Sequence, residues 1–320
     1  MNNFDINNLD KYKVLGNGYF NTTYEVNVKG KPYVFQIGHV LAKDARNKKS
    51  NVWKSLNFYK TVRGHKNFTN LIDFKIINNC KYKHKLTKYQ LDNAKYNTKF
   101  YKHIIKVHKS PYCLLKYREL IKGDTLSTCI GKLSLKQKYS IINQLIDAVI
   151  FMKKKGYRHF SIHGANIIYD KTKDRCVLID YDDVVKGKEM KPYDKKHDIK
   201  LNNNIDLLAV VYLLWKQNLF KELVKRKIKL PSPKDFDKQM IKTKQFNKDK
   251  DITSINYIHI QRELFNLKYP KETQHIITNK LKKIIPHTFF IPKEDIIFMY
   301  KNIIDIDKIK KYINSKMKSL

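Results

Sequence analysis

The sequence predicts an α+β protein in two parts, a small strand-rich N-terminal part with one main helix and a larger helical C-terminal part. Three observations lead there. Residues 11–37 alternate apolar and polar side chains and carry Gly16, Gly18 and Gly30, as strands joined by tight turns do. Residues 134–155 place apolar side chains at helical spacing. The chain has 320 residues, which suits one large domain or two lobes and suffices to bury a sizeable core.

The elements follow in order. KYKVLGNGYFNTTYEVNVKGKPYVFQI reads as strand, glycine turn, strand, turn at Lys29–Gly30, strand. Residues 43–63 read as one helix, with Val52, Leu56, Tyr59 and Val62 toward one face. Strands are predicted near 71–77 and 112–118. Between them, residues 79–110 are Lys-rich and lack a clean period, the mark of an insertion with some helix. In the helix 134–155, Ser134 is placed to cap, Ile141, Leu145, Ala148 and Phe151 line a face, and Gly156 ends it. Short strands at 167–169 and 176–179 precede an apolar, buried helix at 204–217. Residues 218–320 alternate helical stretches with turns at Pro231, Pro233, Pro270, Pro286 and Pro292. The boundary between the parts falls at 118/119, giving 1–118 and 119–320.

Composition narrows the setting. Net charge is +37, from 66 basic and 29 acidic residues. The lysines are spread over the whole length, which favours a base-composition bias in the coding sequence over a dedicated nucleic-acid surface. Non-specific polyanion binding at low salt follows all the same. No apolar run approaches the roughly 20 residues needed to span a bilayer, and the N-terminus lacks the basic-then-apolar pattern of a signal peptide. The expectation is a soluble, non-secreted protein, cytoplasmic or nuclear, with no membrane partner. Cys80, Cys113, Cys129 and Cys176 are scattered and form no CxxC pair. Reduced thiols are expected, and no zinc site.

A set of short motifs then appears in a fixed order. Gly16-Asn17-Gly18-Tyr19-Phe20-Asn21 is followed by Val26. Tyr33-Val34-Phe35-Gln36 comes next, then a helix containing Trp53-Lys54-Ser55. Further on stand His159-Phe160-Ser161-Ile162-His163-Gly164-Ala165-Asn166, Leu178-Ile179-Asp180-Tyr181-Asp182, and a helix that begins at Asp206. Together, over roughly residues 12–217, they resemble the eukaryotic protein kinase superfamily, and within it the vaccinia-related kinase branch with its poxviral members. The resemblance implies a two-lobed kinase-like fold, with Gly16, Gly18, Phe20, Gln36 and Glu119 at a nucleotide site and Asn166 and Asp180 on magnesium.

The departures from that pattern are as informative as the matches. The third glycine of the loop is Asn21. Gln36 stands where a lysine neutralises phosphates, and Ser55 where a glutamate pairs with that lysine. Ser161 stands where an aspartate takes the substrate proton, and His163 where a lysine is usual. Asp182 replaces the glycine after the metal aspartate, and no A-P-E motif follows. Lys13, Lys29 and Lys31, on neighbouring strands, are candidates to replace the missing lysine. A serine hydroxyl cannot accept a proton near neutral pH without its own base, and the nearest carboxylate, Asp170, lies beyond Asn166. His163 is the one other candidate base. The sequence therefore reads as a pseudokinase that binds and regulates a protein partner, with weak or absent Mg-ATP binding. That partner is another kinase, a kinase substrate or a host regulator. The alternatives are an active, atypical serine/threonine kinase and a basic nucleic-acid-binding protein.

Overall fold

A computed structural model describes residues 8–96, 98–186, 206–207, 209–211, 213 and 291–320. The architecture is mixed α+β, and the chain divides into two compact units. One comprises Met1–Lys122 together with Ile179–Val185, the other Gly123–Leu178 together with Lys186–Leu320.

The first unit is built on an antiparallel sheet of five strands in the order β1-β2-β3-β5-β4. Their ranges are β1 (Lys13–Asn17), β2 (Asn21–Val28), β3 (Lys31–Val40), β4 (Leu71–Ile77) and β5 (Tyr112–Glu119). The β2–β3 hairpin closes over two residues, Lys29 at φ 51° and Gly30 at φ 77°. Two successive positive φ values match the right-handed twist of the flanking strands, which explains the Lys-Gly turn. One sheet face carries the apolar core: Tyr24, Val26, Phe35, Ile37, Cys113, Leu115 and Tyr117. Residues opposite one another in an antiparallel pair project to the same side, so the register that sets Phe35 against Tyr117 also sets Gln36 against Lys116. The second face is thus polar, yet Gln36, Lys116 and Arg118 are all buried there.

Two helices, α1 (Ala42–Arg46) and α2 (Asn51–Thr61), replace the single helix expected over 43–63. The break at 47–50 has a local cause. The Asn47 side chain accepts from Lys49 N at 2.9 Å, and Ser50 Oγ donates to Asp44 O at 2.7 Å. Such side chain–backbone bonds compete with the helical ladder. Within the insertion lie α3 (Lys88–Tyr96) and α4 (Thr98–His108). Ile179–Val185 joins this unit through Tyr181. The ring is fully buried against Phe58, Tyr59 and Phe68, and its hydroxyl accepts from Thr69 N at 2.8 Å.

The expectation of scattered, reduced thiols is overturned in this unit. Cys80 and Cys113 form a disulfide with Cα atoms 5.8 Å apart. The β4–β5 register explains it: Ile77 lies opposite Cys113, and the chain returns so that Cys80 N donates to Pro111 O at 2.9 Å. A separation of 33 residues in sequence carries no trace of this. Cys129 and Cys176 are buried.

Among its described residues, the second unit is mainly helical. It begins with β6 (Asp124–Thr125) and α5 (Leu126–Cys129), then the long α6 (Leu135–Lys154). Ser134 and Gln137 close a reciprocal capping box at the start of α6, and Gly156, at φ 75°, follows its end. β7 (Tyr157–Arg158), β8 (Ile167–Asp170) and β9 (Arg175–Leu178) follow. Of the helix expected over 204–217, the described residues are helical and include buried Asp206, Leu207, Val210, Val211 and Leu213. The segment between Asp180 and Asp206 is described only to residue 186, and the turns expected at Pro231, Pro233, Pro270 and Pro286 lie outside the described residues. The chain closes with α7 (Lys293–Lys301) and α8 (Ile306–Lys318). Asp295, fully buried, accepts from the hydroxyls of Tyr139 on α6 and Tyr312 on α8, with Lys316 Nζ at 3.1 Å. Among the described residues, no helix is long and apolar enough to cross a membrane.

Candidate functional site

The polar face of the first unit's sheet opens into a cavity of about 310 Å³. Its wall includes Phe20, Gln36, Gly38, Ser55, Lys116 and Asp182. Gly38 is the glycine that matters here. A Cβ at this position would lie 2.3 Å from Phe20 O, so only glycine lets the end of the β1–β2 loop approach β3. Gly16, by contrast, has open space around its Cα, and Gly18 takes part in the turn through Gly18 N→Asn21 O at 2.8 Å.

Gln36 is 4% exposed, and its Oε1 has no hydrogen-bond partner. Beside it on β5 stands Lys116, 3% exposed, whose Nζ lies 2.7 Å from Asp182 Oδ1. Asn21 Nδ2 donates to the other Asp182 oxygen at 3.3 Å. A cation is therefore present one strand over from Gln36, and its carboxylate partner comes from Asp182 and not from α2, where Ser55 stands. Lys13, Lys29 and Lys31, the replacements expected from sequence, are all exposed, and Lys13 is engaged at the surface by Glu25 at 2.9 Å. Strand position alone could not separate them from Lys116, because only the register says which lysine faces inward.

The two aspartates of this segment differ electrostatically. Burial, then the neighbouring Asp182 charge, pushes the Asp180 carboxyl up to about 6, against the pull of Lys116 and Arg118. Partial desolvation acts on Asp182 too, but the Lys116 charge and hydrogen bond, with the Arg118 charge, outweigh it and hold that carboxyl below its usual range. Asp180 is also a non-glycine residue with positive φ, as is Phe160 in the loop 159–166. Its φ is 65°, and that of Phe160 is 61°. Left-handed backbone at a non-glycine residue persists only where surrounding structure enforces it. Glu119 lies at the end of β5, outside the cavity wall, and its carboxylate accepts from Asn70 N and Nδ2, both at 3.1 Å.

The insertion closes over the glycine-bearing loop. His84 Nε2 contacts Gly18 O at 2.9 Å, His108 Nε2 contacts Tyr19 O at 2.8 Å, and Gln90 Nε2 donates to Asn17 O at 2.7 Å. Tyr19 and Phe20 both meet Phe100 edge-on. Burial drives the His84 imidazole down to about 4, which suits a neutral ring donating through Nε2.

In the second unit the loop 159–166 is held from below. Asp206, 2% exposed, accepts from His159 N at 2.9 Å and Phe160 N at 3.0 Å. Its carboxyl is raised by burial against these two bonds. Burial lowers the His159 imidazole to about 3. Asn166 Nδ2 donates to Ser161 O at 3.1 Å and to Ser161 Oγ at 3.2 Å. His163 is exposed at the start of the turn that holds Asn166. Asp170 accepts from Thr172 N and Oγ1, which hold its carboxyl below the usual range. Of the two metal positions implied by resemblance, Asn166 belongs to the second unit and Asp180 to the first.

Sequence reading missed the Lys116–Asp182 pair. The signal was present in Leu114-Leu115-Lys116-Tyr117-Arg118-Glu119, where two basic residues alternate with apolar ones in a strand. Alternation of that kind puts both cations on one face of a central strand. No protein-family model matches this chain, and no curated protein matches it.

Proposed function

We propose that this chain is a protein-kinase-like binding protein, a pseudokinase of two-lobed fold that regulates a protein partner and transfers phosphate slowly or not at all. The observation that carries the reading is the loop 159–166. Ser161 stands at the position of the proton acceptor, its Oγ already takes a bond from Asn166, and the nearest carboxylate in sequence, Asp170, is committed to Thr172. Loss of a general base costs about 10²–10⁴-fold in rate. The five-stranded antiparallel sheet, followed by a unit whose described residues are mainly helical, supports the kinase-like part of the reading, as does the anchoring of the loop by Asp206.

A magnesium nucleotide is the ligand this reading implies. Asp180, an oxygen donor whose carboxyl burial holds above its usual range, suits a hard cation, whose charge would favour the ionised form. Asp180 would supply a carboxylate oxygen to the ion, which would screen phosphate charge. Lys116 supplies the ammonium that Gln36 lacks, and Asp182 orients it.

That same pair favours a second reading, an active and atypical serine/threonine kinase. Positioning and charge carry most of phosphoryl transfer, and a buried lysine beside Gln36 restores one charge. Radiolabelled phosphate transfer from Mg-ATP, onto the protein itself and a basic substrate, separates the two. No incorporation above an Asp180→Ala control supports the pseudokinase. Incorporation that the variant abolishes establishes the kinase.

A further inference from the structure

We infer that Cys80, Cys113 and His39 form a metal site in the reduced protein, one that takes a thiophilic divalent ion such as Zn²⁺ in exchange for the disulfide. The ligand atoms of the three residues lie within 4.8 Å of one another, and they are the one such cluster of His, Cys, Asp or Glu among the described residues. Cys113 Sγ is 3.6 Å from His39 Nδ1. That separation is close to the distance between two ligand atoms on a tetrahedral zinc with bonds of about 2.3 Å to sulfur and 2.0–2.1 Å to nitrogen.

Both ring nitrogens of His39 face backbone carbonyl oxygens. The ring is 6% exposed. Nε2 lies 2.7 Å from Tyr82 O, and Nδ1 lies 2.9 Å from Ser110 O. A neutral imidazole carries one N–H, so whichever nitrogen holds it, the other presents a lone pair to a carbonyl oxygen. The Tyr82 contact is the one a metal-bound histidine commonly makes: the remote N–H donates to a backbone carbonyl and turns the other nitrogen toward the ion. A cation at Nδ1 then removes the clash with Ser110 O, and that oxygen or a water completes four ligands. Imidazole with two thiolates is a set that favours zinc over magnesium or calcium.

A dithiol reductant delivers two electrons and two protons to the Cys80–Cys113 bond and is itself oxidised to a disulfide. The two thiols then lose their protons as Zn²⁺ binds, forming two sulfur–zinc bonds and one nitrogen–zinc bond. Both states tie the start of the insertion to β5 and β3. Reduction without metal releases it, and with it Tyr82, whose hydroxyl contacts Thr22 on β2, and His84, which contacts Gly18 O in the glycine-bearing loop.

The test uses the full chain, reduced anaerobically, freed of reductant and titrated with Co²⁺. The site predicts one Co²⁺ per chain, with thiolate-to-cobalt charge-transfer and tetrahedral ligand-field absorption, both displaced by Zn²⁺. Oxidised wild-type protein shows neither, a comparison that needs no variant. A Cys129→Ser/Cys176→Ser background keeps the signal, and Cys80→Ser or Cys113→Ser within it removes the charge-transfer band. His39→Gln weakens Co²⁺ binding by at least about ten-fold, the low end of what loss of even an outer partner costs. Absence of thiolate absorption at saturating Co²⁺ in the reduced wild type overturns the proposal. So does its persistence when both Cys80 and Cys113 are replaced.

Discussion

Removing Asp182 should damage the first unit more than removing its partner Lys116. Lys116 is 3% exposed, whereas the Asp182 side chain is 43% exposed. Breaking a buried ion pair typically costs about 3–5 kcal/mol, because the surviving charge is left without compensation. After Asp182→Ala the survivor is a buried ammonium, two residues from buried Arg118 on the same sheet face, with Asp180 as the remaining counter-charge. Allowing for Asp180 and for water at the vacated position, the expected loss is about 2–3 kcal/mol. After Lys116→Met the survivor is a carboxylate that can turn to water, and methionine fills most of the lysine's space, so the loss falls to about 1 kcal/mol or less. The double variant removes both charges and should resemble Lys116→Met alone, which gives a coupling of about 2 kcal/mol. Urea unfolding followed by Trp53 fluorescence, in a Trp215→Phe background, reads this unit directly. The asymmetry reasoning is refuted if Asp182→Ala costs no more than Lys116→Met, or if the double variant costs the sum of the two.

Three further outcomes follow from the same geometry. His84 has its folded pKa near 4, below the ordinary 6.5, so the unfolded chain binds the extra proton between those values and stability is lost as pH falls through that window. Amide exchange of residues 16–21, corrected for intrinsic rate, should therefore rise between pH 7 and 5 in wild type and stay flat in His84→Gln. Asp206→Ala strips the acceptor from His159 N and Phe160 N and should cost about 2–3 kcal/mol. Its exchange signature should centre on 158–163, and Asp206→Asn should recover part of the loss. Asp295→Ala leaves the hydroxyls of Tyr139 and Tyr312 without their acceptor and should cost about 3–5 kcal/mol, read as early release of α7 and α8 on heating.

How much of this could be read beforehand depended on whether the cause was local. The β2–β3 turn, the strand at 71–77 and the α6 cap were legible because Gly30, the alternation and Ser134 act within a few residues. The break between α1 and α2 was not, although Asn47 and Ser50 are residues that contest a helix. The disulfide and the Lys116–Asp182 pair were illegible for a different reason. Both depend on strand register, and a shift of one residue would send Lys116 into the apolar face. At the candidate site, Gln36 and Ser55 were legible as uncharged residues, but the ion pair beside them was not: Lys116 lies one strand from Gln36, and Asp182 lies 127 residues beyond Ser55.

The most direct test of the central claim is the rate of phosphate transfer from radiolabelled Mg-ATP by three purified proteins: wild type, Asp180→Ala and Ser161→Asp. The pseudokinase reading predicts wild type indistinguishable from Asp180→Ala. It also predicts a measurable gain in Ser161→Asp, up to the roughly 10²–10⁴-fold that a positioned base supplies. Transfer by wild type that Asp180→Ala abolishes would contradict it, and would make Lys116 the first residue to mutate in an active enzyme.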